Sequence, residues 1–490
     1  MPAGANSITP ARGLECKSWR LPHGGQPHRP YLGNGAVIVL FPPGIAWAMG
    51  FAAAEAVTES ESKPGIGRYR WLICALLFFA TTINYIDRQI LSLLKPILDT
   101  ELGWTNEQFG QVNAAFQAAY ALGLLAFGAI IDRFGTKKGY ALSITAWSLA
   151  AIGHALVGTV SGFFVARIAL GLGEGGNFPS AIKAVAHWFP RRERAYATAL
   201  FNSGANVGAI IAPAVIPWLA YTWGWHSAFV AAGCAGLLWL VFWIPLYELP
   251  ERTKRLKAEE LAHIQSDSDG GVQQNVQRIS ALRILRHRQA WAFIGAKFLT
   301  DPVWWFFLIW LPDYFKKTRG LDIKHSWVHL VSIYAVVTVL SIVGGWLTGH
   351  LTRRGYSVSR ARKTAMFVAA CLVVPIFAVT QVGDWFAVFL IGLAGAAHQA
   401  WSANLFTSAS DIFPKRAVAS VVGYGGMAGS LGGILFPLYS GKLLDRFQAS
   451  GNVTAGYAIL FGICGSAYLL AFLLNHLLAP KFEAIEFQDA

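Results

Sequence analysis

Twelve apolar runs, each long enough to cross a bilayer, constrain this chain more than any other feature. A transmembrane helix takes roughly 20 mostly apolar residues. Such runs lie near 70–97, 107–131, 138–160, 162–186, 194–221, 226–247, 289–315, 327–351, 361–381, 384–410, 415–440 and 455–478. Backbone N–H and C=O groups inside hydrocarbon must pair within the segment, which restricts such runs to helices. The expected fold class is an all-α polytopic membrane protein with twelve transmembrane helices. Only 13% of the residues are charged, about half the share in a soluble domain. Trp104, Trp188, Trp223, Trp225, Trp327 and Trp385 stand at the ends of runs, as interfacial anchors do.

The net charge of +14 would suggest a nucleic-acid partner in a soluble protein. Its distribution gives a different reading. With the N-terminus inside, 29 of the 40 basic residues fall on the cytoplasmic side and 7 on the outer side. The other 4, Arg88, Arg167, Lys183 and Lys297, lie within runs. That bias predicts a cell inner (plasma) membrane protein with both termini cytoplasmic, and it leaves nucleic acid no role as a partner. The polar stretch 248–288 divides the runs six and six. Phe189-Pro190-Arg191 follows the fourth run and Phe413-Pro414-Lys415 the tenth; Pro96 and Pro312 sit near the ends of the first and seventh. Two related six-helix bundles, 68–247 and 289–480, are therefore expected, joined by a cytoplasmic linker and followed by a short tail, 481–490. Residues 1–67 hold no long apolar run. They read as a disordered cytoplasmic tail, or as residues upstream of a true start at Met49.

Between the second and third runs stands Gly128-Ala129-Ile130-Ile131-Asp132-Arg133-Phe134-Gly135-Thr136-Lys137-Lys138. This loop resembles the signature loop of the major facilitator superfamily. The resemblance implies an inner gate made by Gly128, Asp132, Arg133, Gly135 and Lys137, with glycines allowing close helix contact. The second half departs from the pattern, with Gly349 where an acid would stand ahead of Arg353 and Arg354. Within the superfamily, the sequence resembles the anion:cation symporter family. The likeness rests on Asn84-Tyr85-Ile86-Asp87-Arg88, on Arg167 to Pro179 with its Gly173-Glu174-Gly175-Gly176 core, and on Phe201-Asn202-Ser203-Gly204. Lys297 with Asp301-Pro302, and Gly395-Ala396-Ala397-His398-Gln399-Ala400-Trp401-Ser402, resemble the hexuronate transporter branch. The resemblance implies alternating-access uptake of a sugar-acid anion with protons by a monomer. Asp87 and Glu174 would carry protons, and Tyr85, Arg88, Tyr120 and Arg167 would face substrate. Other cargoes, such as galactonate or glucarate, and a non-transporting receptor remain as alternatives.

The residues support that reading independently. Ionisable groups in a bilayer are costly and are usually paired or functional. At about 1.5 Å per residue, Arg88, Asp87, Arg167 and Glu174 fall within one layer, and Lys297 and His398 within another. Arginine offers a planar fork to a carboxylate. An incoming carboxylate that displaces Asp87 or Glu174 from its arginine leaves a buried acid that takes up a proton. Lys297, His398, Gln399, Ser402 and Asn404 are candidate substrate contacts in the second half. Each has a structural alternative: Lys297 and Asp301, four apart, are spaced to neutralise each other, and the others to bond between helices. Gly171, Gly173 and Gly176 form G-x-G-x-x-G, but inside an apolar run and without the strand a dinucleotide loop needs. No phosphate-binding loop, catalytic constellation or metal spacing occurs, and the five cysteines are scattered. No enzyme activity, nucleotide or cofactor is expected.

Overall fold

The computed structural model describes residues 67–266 and 281–485. The expected N-terminal tail, apart from Gly67, lies outside these residues, as do 267–280 of the linker and 486–490. Tyr69–Leu102, Asn106–Phe134 and Thr136–His154 are spans 1 to 3. Span 4 is two helices, Val160–Glu174 and Asn177–Trp188; span 5 is Arg191–Asn202 and Gly204–Trp223; span 6 is His226–Leu246. Spans 7 to 12 are Arg288–Arg319, Ile323–Arg353, Val358–Val373, Asp384–Ile412, Lys415–Ala449 and Val453–Leu478.

Among the described residues, ten helices are long and apolar enough to cross a membrane by length and composition. Spans 3 and 4 fall short for reasons their residues explain. Span 3 has 19 residues and opens on Thr136-Lys137-Lys138. Span 4 stops at Glu174 and resumes at Asn177, because Gly175-Gly176 supplies the weak point at which a helix breaks. The continuous fourth span expected from the sequence is thus two segments.

Local signals set the turns. Span 1 ends on Gly103, whose φ of +59° suits a residue without a side chain. Span 2 opens with a capping box: the Gln108 N–H donates to Thr105 Oγ1 at 3.1 Å, and the Thr105 N–H to Gln108 Oε1 at 2.9 Å. The paired Phe-Pro motifs fold alike. Phe189 and Phe413 each close a helix through an N–H to the carbonyl four residues back, at 3.0 Å. Pro190 and Pro414 then precede the next helix, both extended.

The packing repeats with a shift of six. Span 1 packs on 5 and 6, span 2 on 4, and span 3 on 4 and 6; span 7 packs on 11 and 12, span 8 on 10, and span 9 on 10 and 12. Across the middle, span 2 meets span 11, span 5 meets span 8, and span 1 meets span 7. Large apolar side chains such as Leu125, Val165, Leu238, Val241 and Leu477 stay exposed, as they can where lipid tails are the solvent.

The linker joins spans 6 and 7 on one face, the linker side; the opposite face is the far side. A short helix, Ala258–Gln265, folds back there. Its buried Glu260 accepts the backbone N–H groups of Tyr69 and Arg70 at 3.3 and 3.1 Å, which satisfies free donors at the start of span 1 and favours the acid at a helix N-terminus.

Candidate functional site

Span 1 brings Asp87 and Arg88, and span 4 brings Arg167 and Glu174, into one buried layer. Arg88 Nε donates to Glu174 Oε2 at 2.7 Å, and Glu174 is 0% exposed. Arg167 Nη2 reaches the backbone oxygen of Arg88 at 3.5 Å. Asp87 is within electrostatic reach of Glu174, Arg167 and Arg88. Among the described residues, both Asp87 carboxylate oxygens, Glu174 Oε1 and Arg167 Nε are buried without a hydrogen-bond partner. Such atoms are costly unless something else satisfies them. Aromatic rings surround the Arg88 guanidinium: Tyr120 at 4.4 Å, Tyr85 at 5.2 Å, Trp305 at 5.6 Å and Phe116 at 5.7 Å. Rings at these distances hold a cation without neutralising it.

The glycines of span 4 make this layer possible. A Cβ on Gly173 would come within 2.6 Å of Trp147 N, and one on Gly171 within 2.5 Å of Phe116 O. They are close-packing positions. Because the helix stops at Glu174, this acid ends a segment at the negative pole of the helix dipole.

Beside this layer lies a cavity of about 370 Å³ lined by Tyr85, Asn202, Asn206, Lys297, Asp301, Trp304, Trp305, His398, Gln399 and Ser402 among others. That volume falls within the roughly 300–1,000 Å³ of small-molecule sites. Lys297 Nζ lies 2.7 Å from Asp301 Oδ2, so the i, i+4 pairing is real, yet both residues also face the cavity. His398 stacks on Trp304, with ring centres 5.2 Å apart and planes 7° apart. Its Nδ1 meets the Tyr468 hydroxyl at 2.6 Å, and that hydroxyl donates to the Thr300 carbonyl at 3.3 Å.

Four expected contacts, Arg88, Tyr120, Arg167 and Asn404, are not among the residues lining the cavity; the two arginines lie in the layer beside it. Asn404 accepts from Thr348 Oγ1 at 2.8 Å and donates to the Ala400 carbonyl at 2.9 Å, so its amide ties spans 8 and 10 together and is absent from the cavity wall. Tyr120 stacks on Phe116, and its ring lies 4.4 Å from the Arg88 guanidinium. Asn202, Asn206, Trp304 and Trp305 enter the wall in addition. Asn202 ends the first of the two helices of span 5, within the Phe-Asn-Ser-Gly motif.

At the signature loop, Gly135 has a φ of +82° and turns span 2 into span 3. Lys137 Nζ bonds Glu248 at 2.9 Å, and this hydrogen bond holds the Glu248 carboxyl below its usual range. Asp132, 78% exposed, pairs with Lys183 at 2.6 Å, which ties this loop to span 4. Arg133 lies over the neighbouring Phe134 ring. A Cβ on Gly128 would meet no atom within 4 Å, so the close contact expected of Gly128 is not made in this conformation.

Among the described residues, the hydrogen bonds that join spans 1–6 to spans 7–12 gather on the far side. Lys95 Nζ, buried at 1% exposure, lies 2.9 Å from Asp313 Oδ1, 2.7 Å from Asp99 and 3.0 Å from Asn106 Oδ1. Lys317 reaches Asn106 at 2.7 Å. Asp445 of span 11 accepts the backbone N–H groups of Asn106 and Glu107 at 2.9 and 2.7 Å, capping span 2 from the other half of the molecule. A Cβ on Gly441 would meet the Glu107 backbone within 2.8 Å. Lys95 sits near the far end of span 1. It is a buried tie, adjacent to Pro96, as its partner Asp313 is adjacent to Pro312. Those matched prolines were the available signal.

Twelve spans around a central cavity lined by charge define a membrane transporter. The chain belongs to the Major Facilitator Superfamily, whose model matches residues 77–437. It is similar to the hexuronate transporter of Escherichia coli K12, 31% identical over 85% of this chain and 95% of that one. It is 32% identical to the galacturonate transporter of Dickeya chrysanthemi over 57% of this chain and 81% of that protein. The probable galactarate/D-glucarate transporter of Bacillus subtilis is 30% identical over 85% of this chain and 93% of its own. In fold it is similar to a D-xylose-proton symporter, with a TM-score of 0.66, 18% identity and 84% and 99% of the two chains covered.

Proposed function

We propose that this chain takes up a hexuronate anion, such as galacturonate or glucuronate, together with protons, as a monomer in a bacterial inner membrane. The linker side faces the cytoplasm, and residues 68–247 and 289–480 act as two bundles that rock about the cavity. The observation that carries the reading is the buried Arg88–Glu174 pair with the unpartnered Asp87 beside it, next to a cavity with a second cation, Lys297. The names of similar proteins supply the substrate class.

The steps follow from the charges. A substrate carboxylate competes with Glu174 for Arg88, whose fork fits either acid. Glu174, released in a buried site, is costly as an anion and takes a proton. Asp87, buried without a donor, is a second store for a proton. Arg167 has an unused Nε and offers a further donor. Lys297, still paired with Asp301, bonds a hydroxyl at the other end of the anion, as do Asn202, Asn206, Gln399, Ser402 and His398. Trp304 and Trp305 give the ring an apolar face. Anion and proton cross together, and no nucleotide is used.

The test is uptake by purified protein in liposomes across hexuronates, aldonates and aldarates. An inward proton gradient should drive hexuronate accumulation, and a protonophore should stop it. Accumulation driven by a sodium gradient alone would refute proton coupling. Arg167→Lys should weaken hexuronate binding by about tenfold, because a point charge replaces a fork; unchanged affinity in a thermal-shift titration would remove Arg167 from the site.

A further inference from the structure

We propose that Asp301 restricts this site to anions of a single charge by keeping Lys297 compensated. The inference rests on the hexuronate reading and adds the rule by which the site refuses diacids. Lys297 and Asp301 are bonded at 2.7 Å and both line the cavity; Asp301 keeps 19% of its side chain exposed. The Lys297 ammonium also lies 4.4 Å from the Phe406 ring centre, so its two close neighbours are a carboxylate and an aromatic face.

Span 11 builds the slot that holds this pair. A Cβ on Gly425 would come within 3.2 Å of Lys297 Cγ, one on Gly429 would collide with the Asp301 carboxylate, and one on Gly432 would meet Pro302. Gly425 and Gly429 are four apart, as are Lys297 and Asp301, so the two helices run in step. Span 11 thus offers bare backbone where the pair lies, and the Asp301 carboxylate is held against Lys297 with one edge toward the cavity.

The charge count gives the consequence. The cavity and the layer beside it contain three cations, Arg88, Arg167 and Lys297, and three carboxylates, Asp87, Glu174 and Asp301. One substrate carboxylate entering with one proton leaves that balance unchanged. A diacid brings a second negative charge into a site where Asp301 already occupies the nearest free cation. Like charges brought together in a desolvated site are strongly disfavoured. Removing the Asp301 charge should free Lys297 for the second carboxylate.

The experiment is competition. Wild-type protein in liposomes performs counterflow of labelled D-galacturonate while unlabelled D-glucuronate, a monoacid, or D-glucarate, a diacid, competes. The ratio of their inhibitory concentrations is the readout. Asp301→Asn should improve glucarate relative to glucuronate by about tenfold or more, the scale of one relieved like-charge contact. Gly429→Ala, which pushes the carboxylate away and removes no charge, should move the ratio the same way by less. Asp301→Glu should keep the wild-type ratio. Thermal-shift titration with the same two ligands gives the ratio for any variant that binds without transporting. An unchanged ratio in both Asp301→Asn and Gly429→Ala, or an equal loss for both ligands, would overturn the proposal while the wild type still exchanges galacturonate. A wild type that neither binds nor exchanges any hexuronate would overturn the underlying reading as well.

Discussion

Replacing Glu174 with Gln is expected to abolish proton-driven accumulation and to leave counterflow exchange intact. Glutamine keeps the shape of a protonated glutamate, and its carbonyl can still accept from Arg88 Nε where Glu174 Oε2 now does at 2.7 Å. The ion pair is lost, so Arg88 no longer has a resident competitor and stays open to the substrate carboxylate. The proton that should travel with the anion has no carrier at this position. Accumulation should fall to equilibration across the liposome membrane, with exchange of bound for free substrate continuing. Loss of both activities would make Glu174 a structural residue. Retained accumulation would put the whole coupling on Asp87.

The second large effect is expected at the far side. Lys95→Met should break the main charge tie between the two halves. Asp313 would keep Lys317 at 3.3 Å and the Tyr457 hydroxyl at 2.5 Å, so its half of the molecule stays satisfied. Breaking a buried pair costs about 3–5 kcal/mol when it leaves the other charge uncompensated; with Lys317 and Tyr457 still on Asp313 the cost is smaller, and ~1.4 kcal/mol is already tenfold in an equilibrium. If the cluster seals the far side in this conformation, that shift should expose the seam between spans 2 and 11. Gln117 is a reporter there: it is buried, and a Cβ on Gly433 of span 11 would lie 3.7 Å from its Cδ. A cysteine at position 117 should react with an impermeant maleimide from the far side at least tenfold faster in the Lys95→Met background. An unchanged rate there, and in Asp313→Asn, would show that the seal lies elsewhere.

The fold was legible because its signals are long and redundant. Twelve apolar runs, the polar interruption at 248–288 and the matched Phe-Pro motifs at 189–190 and 413–414 all carry the same plan. The spacing of Asp87, Arg88, Arg167 and Glu174 also brought them to one layer in advance, since helix rise converts sequence position into depth. What the sequence could not carry was contact across helices. Lys95 and Asp313 are 218 positions apart, and each looks like a span-end charge until the halves are packed. Asn404 failed as a cavity residue for a related reason: a polar side chain on a helix can face a cavity or a neighbouring helix, and only packing decides. The break after Glu174 was written in Gly175-Gly176, but the same pair also reads as a site of close helix contact.

The central claim is that anion and proton move together through competition for Arg88, and proton flux tests it most directly. Galacturonate is added to liposomes of purified protein with no imposed gradient and the membrane potential clamped at zero, while external pH is recorded. The account predicts alkalinisation outside that tracks galacturonate entry in the wild type and vanishes in Glu174→Gln. Galacturonate entry with no accompanying proton movement in the wild type would contradict it.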